Sequence, residues 1–180
     1  MDKTFSLEFM LIDKSFLDRT CEAYFEWKKL NQYISAVGGR GINMADAISE
    51  PMACYALGLF WNRSNVGGDA TNMSKKRVIE FKATSRFEGD LSSFGPDVFF
   101  DDLILLRFKL SDDLLYIYDL NIDSETFVKG RANKNQTIEE QQKQGRRPHI
   151  SLIDTFVKPQ NLEPTLIFDI RNKRIIEDNR

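Results

Sequence analysis

A single histidine, His149, is present in 180 residues, alongside only two cysteines and five prolines. One imidazole excludes acid–base pairs of the ribonuclease A kind. It also excludes histidine–metal finger and phospholipase-type nucleases, which need at least two. A Ser-His-Asp arrangement would have to run through His149, whose surroundings, Arg146-Arg147-Pro148-His149-Ile150, contain none of the glycines of a nucleophile elbow. Cys21 and Cys54 stand alone in helical patterns, so neither a disulfide framework nor a zinc site is expected. They read as small buried residues of a protein in a reducing, cytosolic setting. No apolar run approaches the roughly 20 residues of a membrane span. The opening Met1-Asp2-Lys3-Thr4-Phe5 has no basic segment leading into an apolar one, so no signal peptide is expected and the location reads as cytoplasmic. Gly38-Gly39-Arg40-Gly41 lacks the Gly-Lys-Ser/Thr ending of a Walker loop and reads as a flexible turn, from which Arg40 can approach a nucleic-acid backbone.

What is present is an ordinary globular composition, 42% hydrophobic and 12% aromatic, enough for one domain spanning 1–180 with a real core. The formal charge of -2 hides a strong segregation. Residues 88–125 carry Asp90, Asp97, Asp101, Asp102, Asp112, Asp113, Asp119 and Asp123 against Arg107 and Lys109. Residues 127–149 reverse the balance, with Lys129, Arg131, Lys134, Lys143, Arg146 and Arg147 against Glu139 and Glu140. One face can therefore attract phosphate while the whole molecule stays acidic.

Helical periodicity over 15–37 sets Phe16, Leu17, Cys21, Tyr24, Phe25, Tyr33 and Ile34 roughly on one side, and the glycines at 38–41 end that helix. A second helix is predicted over 45–61, with Pro51 either near its first turn or kinking it. Residues 62–71 read as loop, or loop entering a strand; 77–84 as a strand; 87–96 as loop. Two apolar runs, 103–110 and 114–122, flank Ser111-Asp112-Asp113 and predict a hairpin, with a β-α-β arrangement still open. A short helix is expected over 137–144, further strands over 151–157 and 165–171, and a turn at Asn172-Lys173. The sum is an α/β fold in which two N-terminal helices flank a mixed central sheet of about five strands.

The chemistry is concentrated in Gly67-Gly68-Asp69-Ala70 and the strand Arg77-Val78-Ile79-Glu80-Phe81-Lys82-Ala83-Thr84. Side chains alternate along a strand, so Glu80 and Lys82 share a face. Phosphodiester hydrolysis needs charge neutralised on the phosphate, a water held in line, and that water deprotonated near neutral pH. A divalent cation helps with all of these. Mg²⁺ takes oxygen ligands and keeps several waters, so one or two carboxylates suffice, and Asp69 and Glu80 can supply them. Lys82 can orient the water and stabilise developing charge, and the Phe81 carbonyl can add a ligand. Glu26-Trp27-Lys28 has the same spacing, but on a helix those side chains diverge, and it reads as a solvated face. Pro96-Asp97 is a second decoy, lying after the glutamate rather than before it.

Asp69 followed by Glu80-Phe81-Lys82, with Ala83-Thr84-Ser85 and Asp90-Leu91-Ser92-Ser93-Phe94-Gly95-Pro96 beyond, resembles the PD-(D/E)xK nuclease superfamily, and within it the small type II restriction endonucleases. Gly68 stands where that pattern has proline. Glu50 resembles a helix glutamate that some members add to the metal site; the alternative is an acidic residue favoured near a helix start. The resemblance implies a restriction-endonuclease-like core, with N-terminal helices at 14–61, a catalytic sheet core at 66–122, a DNA-recognition insertion at 127–149 and C-terminal strands at 150–176. It further implies Mg²⁺-dependent cutting of double-stranded DNA, with Mn²⁺ substituting, 5′-phosphate ends, a homodimer on a short palindrome (interrupted and GC-rich in the nearest relatives), and a DNA methyltransferase in the same system. Arg and Lys read guanine, Asn and Gln adenine. On that basis Arg131, Asn133, Lys134, Gln136, Gln141, Gln142, Arg146 and Arg147 are the candidate DNA contacts, with Arg40 apart from them. Two other readings fit the residues: a structure-specific repair or junction-resolving nuclease with the same triad, and a non-catalytic DNA-binding protein on a nuclease-like sheet.

Overall fold

A computed structural model describes residues 9–64, 67–96 and 98–180, so the opening Met1 to Phe5 and Asp97 of the second decoy lie outside it. In chain order the elements are β1 (Phe9–Leu11), α1 (Lys14–Ala36), α2 (Asp46–Leu57), β2 (Phe60–Asn62), β3 (Ala70–Asn72), β4 (Arg77–Thr84), β5 (Ser92–Ser93), β6 (Asp102–Lys109), β7 (Leu114–Asp119), α3 (Ser124–Phe127), α4 (Ile138–Lys143), β8 (His149–Ile150), a π-helical turn (Ile153–Val157), α5 (Lys158–Gln160), β9 (Leu166–Asp169) and β10 (Arg174–Asp178).

The described residues form an eight-stranded sheet, β1-β2-β3-β4-β6-β7-β9-β10, rather than the five strands expected; β5 and β8 pair separately. Only β4 and β6 run parallel, so the sheet is mixed. The three-residue strands β1, β2 and β3 are too short to show a period of two, and β10 is exposed at every position, leaving no apolar signal. The hairpin reading of β6 and β7 holds, with Leu106 opposite Ile117 in antiparallel register.

Two boundaries move. The second helix stops at Leu57 because Gly58 caps it in the left-handed conformation, φ +70°. Trp61 is therefore a strand residue. Pro51 lies inside α2, not in its first turn. The strand expected over 151–157 is helical instead. Its apolar residues Leu152, Ile153, Phe156 and Val157 follow a helical spacing, and the Asp90 carboxylate caps the turn by accepting from the Leu152 and Ile153 amides at 2.9 and 3.0 Å.

Two cores cover the two faces of the sheet. On one, Leu17, Cys21 and Tyr24 of α1 and Met52, Ala53 and Cys54 of α2 pack on Ile79, Phe81, Leu106 and Phe108. On the other, Phe94, Phe100, Phe127, Ile138, Leu152 and Ile153 pack on Leu103, Leu105 and Tyr118. β6 is thus buried on both sides, which is why it reads as a continuous apolar run. Both cysteines are free and buried. Tyr33, expected on the buried side of α1, is 66% exposed. The helix starts at Asp13, whose carboxylate accepts from the Phe16 amide at 2.7 Å.

Lys28 of the first decoy is not on a solvated face. It pairs with Asp113, as the periodicity that sends Glu26 outward turns Lys28 toward the hairpin end. Asp113 sits in the β6–β7 turn at φ +56°, its side chain 5% exposed, and accepts from Tyr24 Oη at 3.1 Å, Lys28 Nζ at 2.5 Å and Arg171 Nη2 at 2.5 Å. It ties α1, the hairpin and the end of β9 together. Asp113→Asn keeps the shape and the left-handed tolerance but removes the charge. The substitution is expected to cost about 2–3 kcal/mol, read as a lower urea midpoint at unchanged slope; an unmoved midpoint would show that the cluster contributes nothing.

Candidate active site

Catalytic geometry starts from the register of β4. Ile79 and Phe81 point into the helix-covered core, so Glu80 and Lys82 must face the other way, alongside Leu103 and Leu105 of β6. Glu80 is buried, at 7% exposure, and its Oε1 accepts from Lys82 Nζ. Lys82 Nζ also lies 5.3 Å from the Phe94 ring centroid. β3 pairs antiparallel with β4, Ala70 opposite Ile79, which sets Asp69 across from Glu80. The Asp69 amide donates to the Ile79 carbonyl at 2.9 Å, and its Oδ2 accepts from the Phe81 amide at 2.7 Å.

Gly68 explains its own departure from proline. Its φ is +80°, where proline is barred, and a Cβ there would stand 2.5 Å from Val78 Cγ1. Close approach of this backbone to β4 is what brings Asp69 beside Glu80.

Glu50 arrives from α2. Its Oε2 accepts from Trp61 Nε1 at 2.7 Å, so β2 holds the side chain that α2 supplies. Glu50 lies past the first turn of α2 and lines the cleft. The cleft has two lobes, about 500 and about 1120 Å³, and Asp46, Glu50 and Asp69 line both. Glu80 lines the smaller lobe and Lys82 the larger.

The carboxylates repel one another. Burial, then the charge of Asp69, pushes Glu50 up to about 8. Burial, then the charge of Glu80, pushes Asp69 up to about 7. Among the described residues no three His, Cys, Asp or Glu side chains already converge to metal-binding distance. The donor set nevertheless fits a hard divalent cation. Glu50, Asp69 and Glu80 each commit one oxygen to a protein donor and leave the other without a partner among the described residues. None of those remaining oxygens is a sealed, orphaned atom. An oxygen-only, mutually repelling set open to a cleft suits a hard divalent cation.

The candidate DNA contacts lie elsewhere. Arg131, Asn133, Lys134, Arg146 and Arg147 are exposed, with Gln136, Gln141 and Gln142 half-buried; none lines either lobe. Asn133 Oδ1 accepts from the Asn135 and Gln136 amides, shaping its own loop, and Gln141 Nε2 donates to Gln136 Oε1. Gln142 Nε2 donates to the Gly95 carbonyl at 2.7 Å. With Ser93 opposite His149 and the Phe94 amide donating to the Pro148 carbonyl at 3.1 Å, that bond sews the basic segment to the wall of the cleft. Arg40 is exposed beyond α1 and apart from the cleft lining. Sequence reasoning missed Asp46, which looks like any acid at a helix start, and Trp61, which the overlong second helix concealed.

Residues 12–159 match the family model described as Bsp6I restriction endonuclease. This chain belongs to the Bsp6I restriction endonuclease family. It is 42% identical over 170 residues to the type II restriction enzyme Bsp6I of Bacillus sp. (strain RFL6), a match covering 94% of this chain and 97% of that relative. No solved structure matches the chain. In this family member the matched span contains β3, β4 and both helices, and therefore every residue of the acidic cleft.

The raised carboxyls give a pH signature. Both are protonated in the folded, metal-free protein at pH values where the unfolded chain has ionised them. Their contribution to stability is present below the ordinary values of 3.8 and 4.5 and is lost as pH rises through about 7 and about 8. In EDTA the melting temperature is expected to fall between about pH 5 and about pH 8.5, and Glu50→Gln to flatten that fall. An equal slope in wild type and Glu50→Gln would remove Glu50 from the repelling set.

Proposed function

We propose that this restriction endonuclease family member hydrolyses double-stranded DNA at a short palindrome, as a homodimer in which each subunit cuts one strand and leaves a 5′-phosphate. The observation that carries the reading is the Glu80–Lys82 pair lining the cleft, Glu80 buried and Lys82 half-buried, with Asp69 held across from Glu80 by strand register.

Asp69 through Oδ1, Glu80 through Oε2 and the Phe81 carbonyl would hold Mg²⁺, with Mn²⁺ substituting and Glu50 adding a third carboxylate. Bound there, the cation supplies charge neutralisation and a more acidic water. The protein's part is to position. The Phe81 amide fixes the Asp69 carboxylate and Trp61 fixes Glu50, and both residues line the same cleft. Lys82 would donate to the attacking water and to the phosphate oxygen that gains charge. The second core lies on the same face of the sheet as Glu80 and Lys82.

Arg131, Lys134, Gln141, Arg146 and Arg147 would carry base and phosphate contacts, with Asn133, Gln136 and Gln142 holding the segment's shape as well as reading. Arg40 would touch the backbone. An endonuclease of this specificity acts where the genome is, in the cytoplasm, and requires a DNA methyltransferase of matching specificity to protect that genome.

Glu80→Ala and Lys82→Ala are each expected to lower cleavage at least about a hundredfold, while binding of a cognate duplex in Ca²⁺ survives. Wild type is expected to be inactive in EDTA and to cut a phage genome into discrete bands with Mg²⁺. Cutting without a divalent ion would overturn the mechanism; a smear, or cutting of branched DNA alone, would move the substrate to the junction-resolving reading.

A further inference from the structure

The larger lobe of the cleft poses an electrostatic problem. Asp46, Glu50, Asp69, Glu88 and Asp90 line it, against Lys82 and Arg86. A phosphodiester backbone entering such a lobe meets charge of its own sign. Two of these groups are already committed within the protein. Lys82 is paired with Glu80. Asp90 accepts from Ser92, Ser151, Leu152 and Ile153 and so belongs to the wall.

Arg86 is different. It is exposed, lies four residues beyond Lys82, and its guanidinium has no hydrogen bond or ion pair among the described residues. Its backbone, by contrast, is tightly held. The Arg86 amide donates to Thr84 Oγ1 at 3.1 Å, Thr84 Oγ1 lies 3.2 Å from the Gly89 carbonyl, and the Gly89 amide donates to the Arg86 carbonyl at 3.2 Å. The turn that ends the catalytic strand thus lines the lobe and carries an uncommitted planar cation on a fixed stem. A guanidinium fork matches two phosphate oxygens at once and keeps its charge at any working pH.

We infer that Arg86 clamps a backbone phosphate of the strand being cut, beside the triad, and so admits DNA to an otherwise acidic lobe. The inference rests on the nuclease reading above and gives Arg86 a positioning role, which carries no sequence information. It separates Arg86 from the residues of 131–147, where loss of a contact should alter discrimination between sequences.

The test uses the full chain with Arg86→Gln and Arg86→Lys, and two short duplexes, one cleaved by wild type and one scrambled. Binding is followed by fluorescence anisotropy in Ca²⁺ across a salt series, cleavage in Mg²⁺, and folding by thermal melting. Arg86→Gln is expected to melt like wild type, since the exposed side chain has no hydrogen bond or ion pair to lose among the described residues. It is expected to weaken binding to both duplexes by the same factor and to make log K against log salt shallower by about one. Cleavage at saturating DNA should fall about tenfold or more, and Arg86→Lys should restore the salt slope. An unchanged salt slope and affinity in Arg86→Gln, with wild type cutting normally, would overturn the clamp. So would a loss confined to the cleaved duplex, because Arg86 would then be reading a base. Wild type that neither binds nor cuts DNA in any divalent metal would overturn the nuclease reading itself.

Discussion

Three carboxylates that repel one another are gathered in one half-buried cleft, and the rest of this structure is arranged to keep them there. Each is held by a protein donor: Glu50 of α2 by Trp61 of β2, Asp69 before β3 by the amide of Phe81 in β4, and Glu80 by Lys82 two residues on in the same strand. Glu50 and Asp69 are each fixed by a donor from another element. The repulsion is stored against the folding energy of two separate cores, and it gives the cleft its appetite for a doubly charged cation.

The second core does more than cover the sheet. It joins the basic segment to the cleft wall through Gln142 to Gly95, the Ser93–His149 pairing, and Asp90 capping the helical turn at 153–157. DNA held by the basic segment would therefore be held by the same rigid body that carries Phe94 against Lys82.

How much of this was legible in the sequence follows from where each signal resides. The strand around Glu80, the hairpin after it and the first helix are long enough for their periods to show, and the alternation of β4 alone puts Glu80 and Lys82 on one face. Short strands have no readable period, which is why β1, β2 and β3 were invisible and the sheet was undercounted. The segment at 151–157 reads as a strand by composition and folds as a helix because a distant aspartate, Asp90, caps it. Lys28 reads as solvated because nothing local reveals Asp113.

By itself the chain's sequence determined the identity of the reactive groups, the pairing of a carboxylate with a lysine on one strand face, and the segregation of basic residues into 127–149. These follow from side-chain chemistry and from a two-residue repeat, both local properties. Tertiary structure alone decided that Asp69 lies opposite Glu80, that Gly68 must not be proline, that Glu50 reaches the same cleft through Trp61, and that the Arg86 guanidinium has no partner among the described residues. Those depend on strand register and on contacts between residues far apart in the chain, which no local pattern encodes.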